Sequence, residues 1–171
     1  MPIEIERKFL PRDDTWRAHV QRSDAMAQGY LTPAQASGGE RTSVRVRVSG
    51  EQAWLNIKSR DLGPMRQEFE YPVPPGDARA LLALCVGGLV EKRRHIVHHA
   101  GHAWEIDEFV GDNAGLVVAE LEFETVDQSF EPPPWLGREV TGLPRYYNLA
   151  LASRPYAHWS AGERAAGDAP A

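Results

Sequence analysis

The first residues of the chain place ionisable side chains at every second position, as Glu4, Glu6 and Lys8 of EIERKFL. Side chains of a β-strand alternate between faces, so these charges would share one face, with Ile5 and Phe9 on the other. Carboxylates in such a row suit Mg²⁺ or Mn²⁺, and an ammonium beside them can bind a phosphate. For this stretch alone, an ordinary edge strand with one solvated face is the simpler interpretation.

The same alternation recurs in six later segments. They are TSVRVRVS (42–49), WLNIKS (54–59), RQEFEYP (66–72), EKRRHIV (91–97), EIDEF (105–109) and AELEFET (119–125). Solvated strand faces usually mix Ser, Thr, Gln and Lys and do not repeat paired ionisable residues at i and i+2. Because an unpaired charge in a dry core costs tens of kcal/mol by Born estimates, the recurrence favours charges that face a hydrated interior.

The fold class that satisfies this pattern is mainly β, with a few helices. We predict a closed or nearly closed antiparallel barrel of about eight strands, charged inside and apolar outside against helices. Helices are predicted at 13–20, at 76–86 (ended by Gly87 and Gly88) and at 145–152. Residues 32–40 and 131–135 have loop composition. The chain reads as one domain over 1–156 with a flexible tail at 157–171.

The charged positions indicate the kind of ligand. Six cations are expected inside, at Lys8, Arg45, Arg47, Lys58, Lys92 and Arg94, and Arg66 would be a seventh if it also faces inward. Guanidinium forks match phosphate oxygens, so this set favours an anion with several phosphates. The carboxylates Glu4, Glu6, Glu120 and Glu122 would repel such an anion unless divalent cations lay between them, and Asp107 and Glu124 could extend this set. Metal-assisted phosphoanhydride chemistry is the natural interpretation.

Composition and short motifs argue against several other functional classes. A net charge of −5 argues against a general nucleic-acid binder. No apolar run approaches the ~20 residues of a membrane span, and none follows Met1 as a secretory signal would. With a single cysteine, Cys85, these features favour the cytoplasm. The histidines in HHAGH are better explained by a hairpin turn than by a metal site.

Several motifs together carry a family resemblance. EIERKFL is similar to the N-terminal signature of the CYTH superfamily, the triphosphate tunnel metalloenzymes. The likeness continues in order through QGYL, RVRV, NIKS, EFEYP, KRRH, WEIDEF, GLVVAELEFE, REVTG and RYYNLAL, over about residues 2 to 151. The superfamily includes class-four adenylyl cyclases, thiamine triphosphatases and bacterial inorganic triphosphatases, and its fold is an eight-stranded antiparallel tunnel. This chain most resembles the short inorganic triphosphatases.

The resemblance implies a role for each matching position. Metal ions, two of Mg²⁺ or Mn²⁺, would be held by Glu4, Glu6, Asp107, Glu120 and Glu122. The triphosphate would be bound by Lys8, Arg45, Arg47, Lys58, Lys92 and Arg94. Catalytic roles fall to Lys8, Tyr30 and Lys92, and supporting roles to Glu68, Glu70 and Glu124. For Glu105 and Arg66, a salt bridge across the tunnel wall is the better interpretation.

The activity expected from this resemblance is hydrolysis of inorganic triphosphate to diphosphate and phosphate. A class-four adenylyl cyclase and a thiamine or nucleoside triphosphatase are alternatives within the superfamily. A module that binds polyphosphate or a nucleotide without turnover is the non-enzymatic alternative. Leu143 stands where the family often has an acidic residue, so the function of that position is in doubt here.

Overall fold

The computed structural model describes residues 3–34, 41–61 and 63–166. Nine strands within these ranges form one antiparallel sheet. They are β1 (Ile3–Pro11), β2 (Val20–Tyr30), β3 (Thr42–Ser49), β4 (Gln52–Ser59), β5 (Met65–Pro72), β6 (Val86–His99), β7 (His102–Phe109), β8 (Val117–Glu122) and β9 (Leu136–Glu139). The helices are α1 (Pro75–Leu82), α2 (Asn148–Ser153) and α3 (Ala161–Ala166), with 3-10 turns at Thr15–His19, Gly111–Asn113, Pro144–Tyr146 and Tyr156–His158.

Eight of these strands close into a barrel, which confirms the predicted fold. The neighbours are, in order, β5, β4, β3, β2, β6, β7, β8 and β1, and β5 returns to pair with β1. The closure lies on β1, whose residues 3–5 pair with β5 and whose residues 6–9 pair with β8. The short β9 adds to the end of β1. The first charged stretch of the chain therefore lies at the seam of the barrel.

Besides the short β9, the strand that lies outside the seven segments of alternating charge is β2. Its sequence, VQRSDAMAQGY, has few β-branched or aromatic residues, so intrinsic propensity does not indicate a strand. It is a strand because it pairs with β3 along one edge and β6 along the other. Gly29 permits this packing, since a Cβ there would lie 2.6 Å from the Cys85 Sγ atom.

The helices are shorter than predicted. The segment predicted as helix 13–20 forms only a 3-10 turn, and α1 ends at Leu82. Gly87 and Gly88 belong to β6, so the prediction that they end a helix was wrong; Gly87 has a φ of 78°, which favours glycine. No helix in the described part of the chain is long and apolar enough to cross a membrane. Residues 35–40 of the predicted loop lie outside the described residues.

The predicted hairpin at HHAGH is confirmed. Ala100 and Gly101 have φ values of 47° and 82°, and His99 pairs with His102. Two central residues in the left-handed region match the right-handed twist of the flanking strands.

Apolar clusters cover the outside of the barrel. One lies over β1, β6, β7 and β8 and contains Phe9, Trp16, Val97, Trp104, Ile106, Ala119, Leu121, Phe123, Trp135 and Leu136. Irregular chain around Phe130 and the Trp16 turn cover this side, where helices were expected. The other cluster lies beneath α1 and contains Val46, Ala53 and Ala78. The outward apolar faces predicted from alternation are therefore buried mainly by loops and one helix.

One end of the barrel interior is apolar, contrary to the expectation of a charged interior throughout. Val90, Phe109 and Val118 continue the inward-facing rows of β6, β7 and β8, and all three are buried. They join Tyr30 and side chains from the C-terminal segments in one cluster. Because those segments pack across this end, water is excluded there and hydrophobic side chains fill the space.

The C-terminal segment, predicted as a tail from residue 157, contributes to this closure through residues 157–166. Trp159 is only 4% exposed and packs edge-on against Tyr146, with ring centroids 5.2 Å apart. Ser160 and Glu163 form a reciprocal capping box at the start of α3. Residues 167–171 lie outside the described residues.

Candidate active site

The charged part of the barrel encloses a cavity of about 480 Å³. Among the described residues that line it, six carry a positive side chain and seven carry a carboxylate. The cations are Lys8, Arg45, Arg47, Lys58, Arg66 and Arg94, and the carboxylates are Glu4, Glu6, Glu68, Glu70, Glu105, Glu120 and Glu122. The inward-facing charges of seven strands thus meet in one space, as alternation predicts.

Arg66 holds the two N-terminal carboxylates of the cavity. Its Nε donates to Glu4 Oε2 at 2.6 Å, and its Nη2 donates to Glu6. Lys58 Nζ adds contacts with Glu4 at 3.0 Å and with Glu68 at 2.8 Å. The ion pair that the sequence suggested for Arg66 is present. It engages the carboxylates that the family resemblance assigns to metal ions.

Lys8 is a buried cation between two carboxylates. Its Nζ contacts Glu120 and lies 3.1 Å from Glu6 Oε1. Burial by itself lowers the pKa of Lys8, but Glu120 and Glu6 outweigh that effect and raise the pKa above its usual value. An amine that stays protonated at neutral pH can bind an anion but cannot act as a base.

Arg94 links three carboxylates of β7 and β8. Its Nε and Nη2 each lie 2.7 Å from an oxygen of Asp107, its Nη2 lies 2.8 Å from Glu120, and its Nη1 contacts Glu105. Lys92 also donates to Asp107, which is fully buried. Burial and the neighbouring Arg94 lower the pKa of Lys92 to about 8, although Asp107 opposes them. Of the two buried lysines Lys8 and Lys92, Lys92 is therefore the one that loses its proton more readily.

A third group of side chains lies on β3, β4 and β5. Arg47 Nη2 donates to Glu70 at 2.7 Å, and Asn56 Nδ2 donates to both Glu68 and Glu70, at 2.8 and 2.6 Å. Arg45 Nε donates to Asn56 Oδ1 at 3.3 Å. Arg47 Nε is buried and has no hydrogen-bond partner among the described residues, and burial together with Arg45 lowers the pKa of Arg47. This unpaired donor is available to an anionic ligand in the cavity.

Glu122 differs from the other carboxylates of the cavity. It lies opposite Glu6 in the β1–β8 ladder, and no described residue forms an ion pair with it. Partial burial, followed by repulsion from Glu105, Glu4 and Glu6, raises the pKa of Glu122 to about 7. The cavity therefore has a local excess of negative charge at this point.

A second chamber of about 280 Å³ adjoins the first. Both chambers are lined by Lys8, Arg45, Lys58, Arg66 and Asn148. Tyr30 lines the second chamber, and burial raises the pKa of its hydroxyl, which therefore stays protonated. The Tyr147 ring centroid lies 5.5 Å from Lys8 Nζ and 5.6 Å from Arg66 Cζ, within cation–π range.

Comparison with known proteins decides the family. A family model described as the CYTH domain matches residues 2–150. The chain belongs to the CYTH domain family. An inorganic triphosphatase of Acetivibrio thermocellus is 40% identical to this CYTH chain over 157 residues, which cover 91% of the chain and 97% of the relative. An inorganic triphosphatase of Nitrosomonas europaea is 37% identical over 152 residues, which cover 87% and 96% respectively.

A solved structure agrees with this placement in the CYTH family. The crystal structure of the inorganic triphosphatase NE1496 superimposes with a TM-score of 0.63 at 34% identity, and the match covers 89% of this chain and 95% of that one. The family and the closed antiparallel barrel that the sequence motifs predicted are thus both confirmed. The roles of individual site residues stay predictions.

The structure brings most of the predicted CYTH site residues into the two chambers, but three lie elsewhere. Lys92 and Asp107 are buried behind the cavity wall, where they support Arg94. Glu124 follows the end of β8 and is exposed, away from the described lining of the cavity. Sequence reasoning assigned no role in the site to Asn56 or Asn148. Asn56 could have been found by alternation from Lys58, whereas the position of Asn148 depends on how α2 docks.

The donor set is compatible with divalent cations, although the carboxylates do not form a preformed cage. Among the described residues, no group of three or more His, Cys, Asp or Glu side chains converges on one point. The reason is that Arg66 separates Glu4 from Glu6, and Lys8 separates Glu6 from Glu120. Glu122, whose pKa is raised by partial burial and then by repulsion from Glu105, Glu4 and Glu6, lies where positive charge is lacking.

Proposed function

We propose that this CYTH protein hydrolyses inorganic triphosphate to diphosphate and phosphate with the help of divalent metal ions, Mg²⁺ or Mn²⁺. The activity is that of the two named relatives, which the chain matches at 37–40% identity over nearly their full length. A location in the cytoplasm and the absence of a nucleic-acid partner accompany this proposal as predictions from composition.

The observation that carries the proposal is the charge balance of the cavity. Six cations could bind a polyphosphate, but seven carboxylates in the same space leave an excess of one negative charge when all are ionised. A site built only to retain a polyanion would be better without these carboxylates. These carboxylates would hold divalent ions, whose chemistry would be neutralisation of phosphate charge and activation of a water.

In this proposal, the positively charged residues of the chain bind the phosphates. Arg45, Arg47 and Lys58 would bind phosphate oxygens, and the unpaired Nε of Arg47 would gain its missing acceptor. Lys8 would contribute as a permanent cation, in keeping with its raised pKa. Arg94, which also lines the cavity, would bind phosphate from β6, where Asp107 holds its guanidinium. Fixed cations that surround the phosphates stabilise charge without reorganisation during the reaction.

The carboxylates assigned to metal are Glu4, Glu6, Glu120 and Glu122, which face the cavity from β1 and β8. Asp107 fits this role less well because it is fully buried against Lys92 and Arg94. We assign it and Lys92 to the support of Arg94. Glu68 and Glu70 orient Arg45, Arg47 and Asn56 through the contacts described above.

The proposal is tested by incubating the purified protein with Mg²⁺ and, separately, tripolyphosphate, ATP, thiamine triphosphate or long-chain polyphosphate. Release of phosphate and formation of cyclic AMP are both measured. Preferred hydrolysis of tripolyphosphate without cyclic AMP is expected. Tight binding without phosphate release would leave only the binding module, and cyclic AMP from ATP would identify a cyclase.

A matched pair of variants tests the metal-binding assignment. Glu122→Gln should lower kcat by at least 100-fold at limiting Mg²⁺, because it removes a carboxylate from the cavity. Glu124→Gln changes the same residue type two positions later, outside the cavity, and should leave the rate unchanged. Equal rates for both variants would remove Glu122 from the site.

A further inference from the structure

Asn148 is the uncharged polar residue at the junction of the two chambers. It lines both, together with the cations Lys8, Arg45, Lys58 and Arg66. The segment that carries it is firmly placed, because Tyr146 and Leu151 on either side are buried in the apolar cluster at the end of the barrel. The amide is therefore held among the groups proposed to bind triphosphate.

The amide oxygen of Asn148 has no hydrogen-bond partner within the part of the chain that the structure describes. Its Oδ1 atom is buried and accepts no hydrogen bond from any described residue. A buried polar atom left unpaired destabilises the folded state, so its presence in a tightly surrounded site requires a reason. Strain of this kind is characteristic of functional positions, where a ligand completes the hydrogen bonding.

The chemistry of the missing partner identifies its role. Oδ1 is an acceptor and needs a donor, whereas an ionised triphosphate offers only acceptor oxygens. Water is the reactant that can donate. We propose that Asn148 positions the attacking water by accepting one of its hydrogen bonds while the surrounding cations hold the triphosphate.

This inference rests on the proposed triphosphatase function and gives one residue a place in the chemical step. The water oxygen forms a bond to a terminal phosphorus, and the bridging P–O bond breaks, with its electron pair leaving on diphosphate. One proton of the water stays on the phosphate product and the other passes to solvent. Asn148 is not protonated in this step; it fixes the direction of attack, as amide side chains do in other phosphoryl transfers.

The test compares Asn148→Leu with Asn148→Asp. Leucine has a similar shape but no acceptor, so kcat for tripolyphosphate at saturating Mg²⁺ should fall roughly 10- to 100-fold, with KM little changed. Aspartate keeps an acceptor oxygen but adds a charge, so it should retain more of kcat than leucine and should raise KM. The affinity for tripolyphosphate, measured by calorimetry in EDTA, should be the same in Asn148→Leu and wild type.

Thermal unfolding separates this role from a structural one. Because leucine removes an unpaired buried oxygen, Asn148→Leu should melt at the wild-type temperature or higher. The matched control is Asn113→Leu: Asn113 is a buried asparagine whose Oδ1 accepts from the Tyr156 N–H at 2.8 Å, so this variant should lose stability.

Three results would overturn the inference. They are an unchanged kcat in Asn148→Leu at saturating Mg²⁺, a loss of stability equal to that of Asn113→Leu, and a rise in the Mg²⁺ concentration needed for half-maximal activity, which would make Asn148 a metal ligand instead. Failure of the wild-type protein to release phosphate would instead overturn the proposed function itself.

Discussion

Arg94 on β6 and Asp107 on β7 stand directly opposite each other in the ladder and form a two-pronged ion pair. Arg94 Nε lies 2.7 Å from Asp107 Oδ1, and Arg94 Nη2 lies 2.7 Å from Oδ2. The aspartate is fully buried and also accepts from Lys92. One buried carboxylate therefore fixes a cation of the cavity wall and compensates a second cation behind it.

Asp107→Asn should accordingly destabilise the protein and weaken substrate binding together. Removing one partner of a buried ion pair costs about 3–5 kcal/mol, because the remaining charges lose their compensation. KM for tripolyphosphate should rise because Arg94 loses its fixed orientation. Urea unfolding and steady-state kinetics measure the two effects.

The control for Asp107→Asn is Glu105→Gln, which removes another Arg94 partner. Glu105 is 31% exposed at the mouth of the cavity, so its loss should cost less than about 1 kcal/mol. If Asp107→Asn is as stable as Glu105→Gln, the buried aspartate does not have the structural role described here.

The position of Arg66 between Glu4 and Glu6 predicts that metal and substrate bind cooperatively. In the free protein the guanidinium competes with a divalent ion for these carboxylates. Incoming phosphates would draw Arg66 away, so Mg²⁺ should bind weakly alone and at least 10-fold more tightly in the presence of an imido-bridged, non-hydrolysable tripolyphosphate. Isothermal titration calorimetry measures both affinities.

Arg66→Ala should remove this competition. Mg²⁺ affinity in the absence of phosphates should increase, and the dependence on the triphosphate analogue should become smaller. Arg17→Ala is a suitable control because Arg17 pairs with Glu108 on the outside of the barrel. Unchanged Mg²⁺ affinity in Arg66→Ala would show that the ion does not use Glu4 and Glu6.

Alternation predicted which charges face inward because strand geometry fixes the face of every second side chain. It could not predict how deep each lies along the barrel. Lys92 and Asp107 share the inward face with Arg94, yet they lie next to Phe109 and Val118, where the C-terminal segments exclude water. That closure depends on tertiary packing between distant parts of the chain, which no local pattern encodes.

Asn148 is a site residue that local sequence patterns could not identify, again because its position depends on tertiary packing. Asn148 enters the cavity only because Tyr146 and Leu151 dock into the apolar end of the barrel. The strand β2 also lies outside the segments of alternating charge, and its partners β3 and β6 determine its conformation more than its own composition does.

The capping box of α3 predicts a pH-dependent attachment of the C-terminal segment. Glu163 accepts from Arg154 at 2.8 and 2.9 Å and from the Ser160 N–H at 2.7 Å, and the Arg154 bond, followed by that from Ser160, lowers the pKa of Glu163 to about 2. Because this pKa lies below the ordinary value of 4.5, the carboxylate stabilises the docked helix above pH 4.5. That stabilisation is lost as the pH falls from 4.5 towards 2.

Hydrogen exchange of residues 156–166 tests the attachment. Glu163→Gln should exchange faster than wild type at pH 6, and the ratio of the two rates should approach one as the pH falls towards 2. Glu51→Gln, a change on the exposed β3–β4 turn, should leave this ratio at one throughout. A ratio for Glu163→Gln that does not depend on pH would exclude the carboxylate as the anchor.

The contact between Trp54 and Arg47 predicts how Trp54 affects substrate affinity and selectivity. The Arg47 Cζ atom lies 4.9 Å from the Trp54 ring centroid, and the two residues are partners in the β3–β4 ladder. An exposed to partly desolvated cation–π contact contributes about 0.5–2 kcal/mol, so Trp54→Ala should raise KM roughly 2- to 30-fold by loosening Arg47. Trp54→Phe keeps an aromatic face and should have a smaller effect.

The rise in KM caused by Trp54→Ala should be the same for tripolyphosphate and ATP. The reason is that the ring acts through Arg47 on phosphates that both substrates share. Stacking on adenine would instead lower kcat/KM selectively for ATP, since base stacking on an aromatic ring contributes about 1–3 kcal/mol. Specificity constants for both substrates in wild type, Trp54→Phe and Trp54→Ala distinguish the two cases. If wild type prefers ATP and Trp54→Ala erases that preference, the tunnel selects the organic group and inorganic triphosphate is not its substrate.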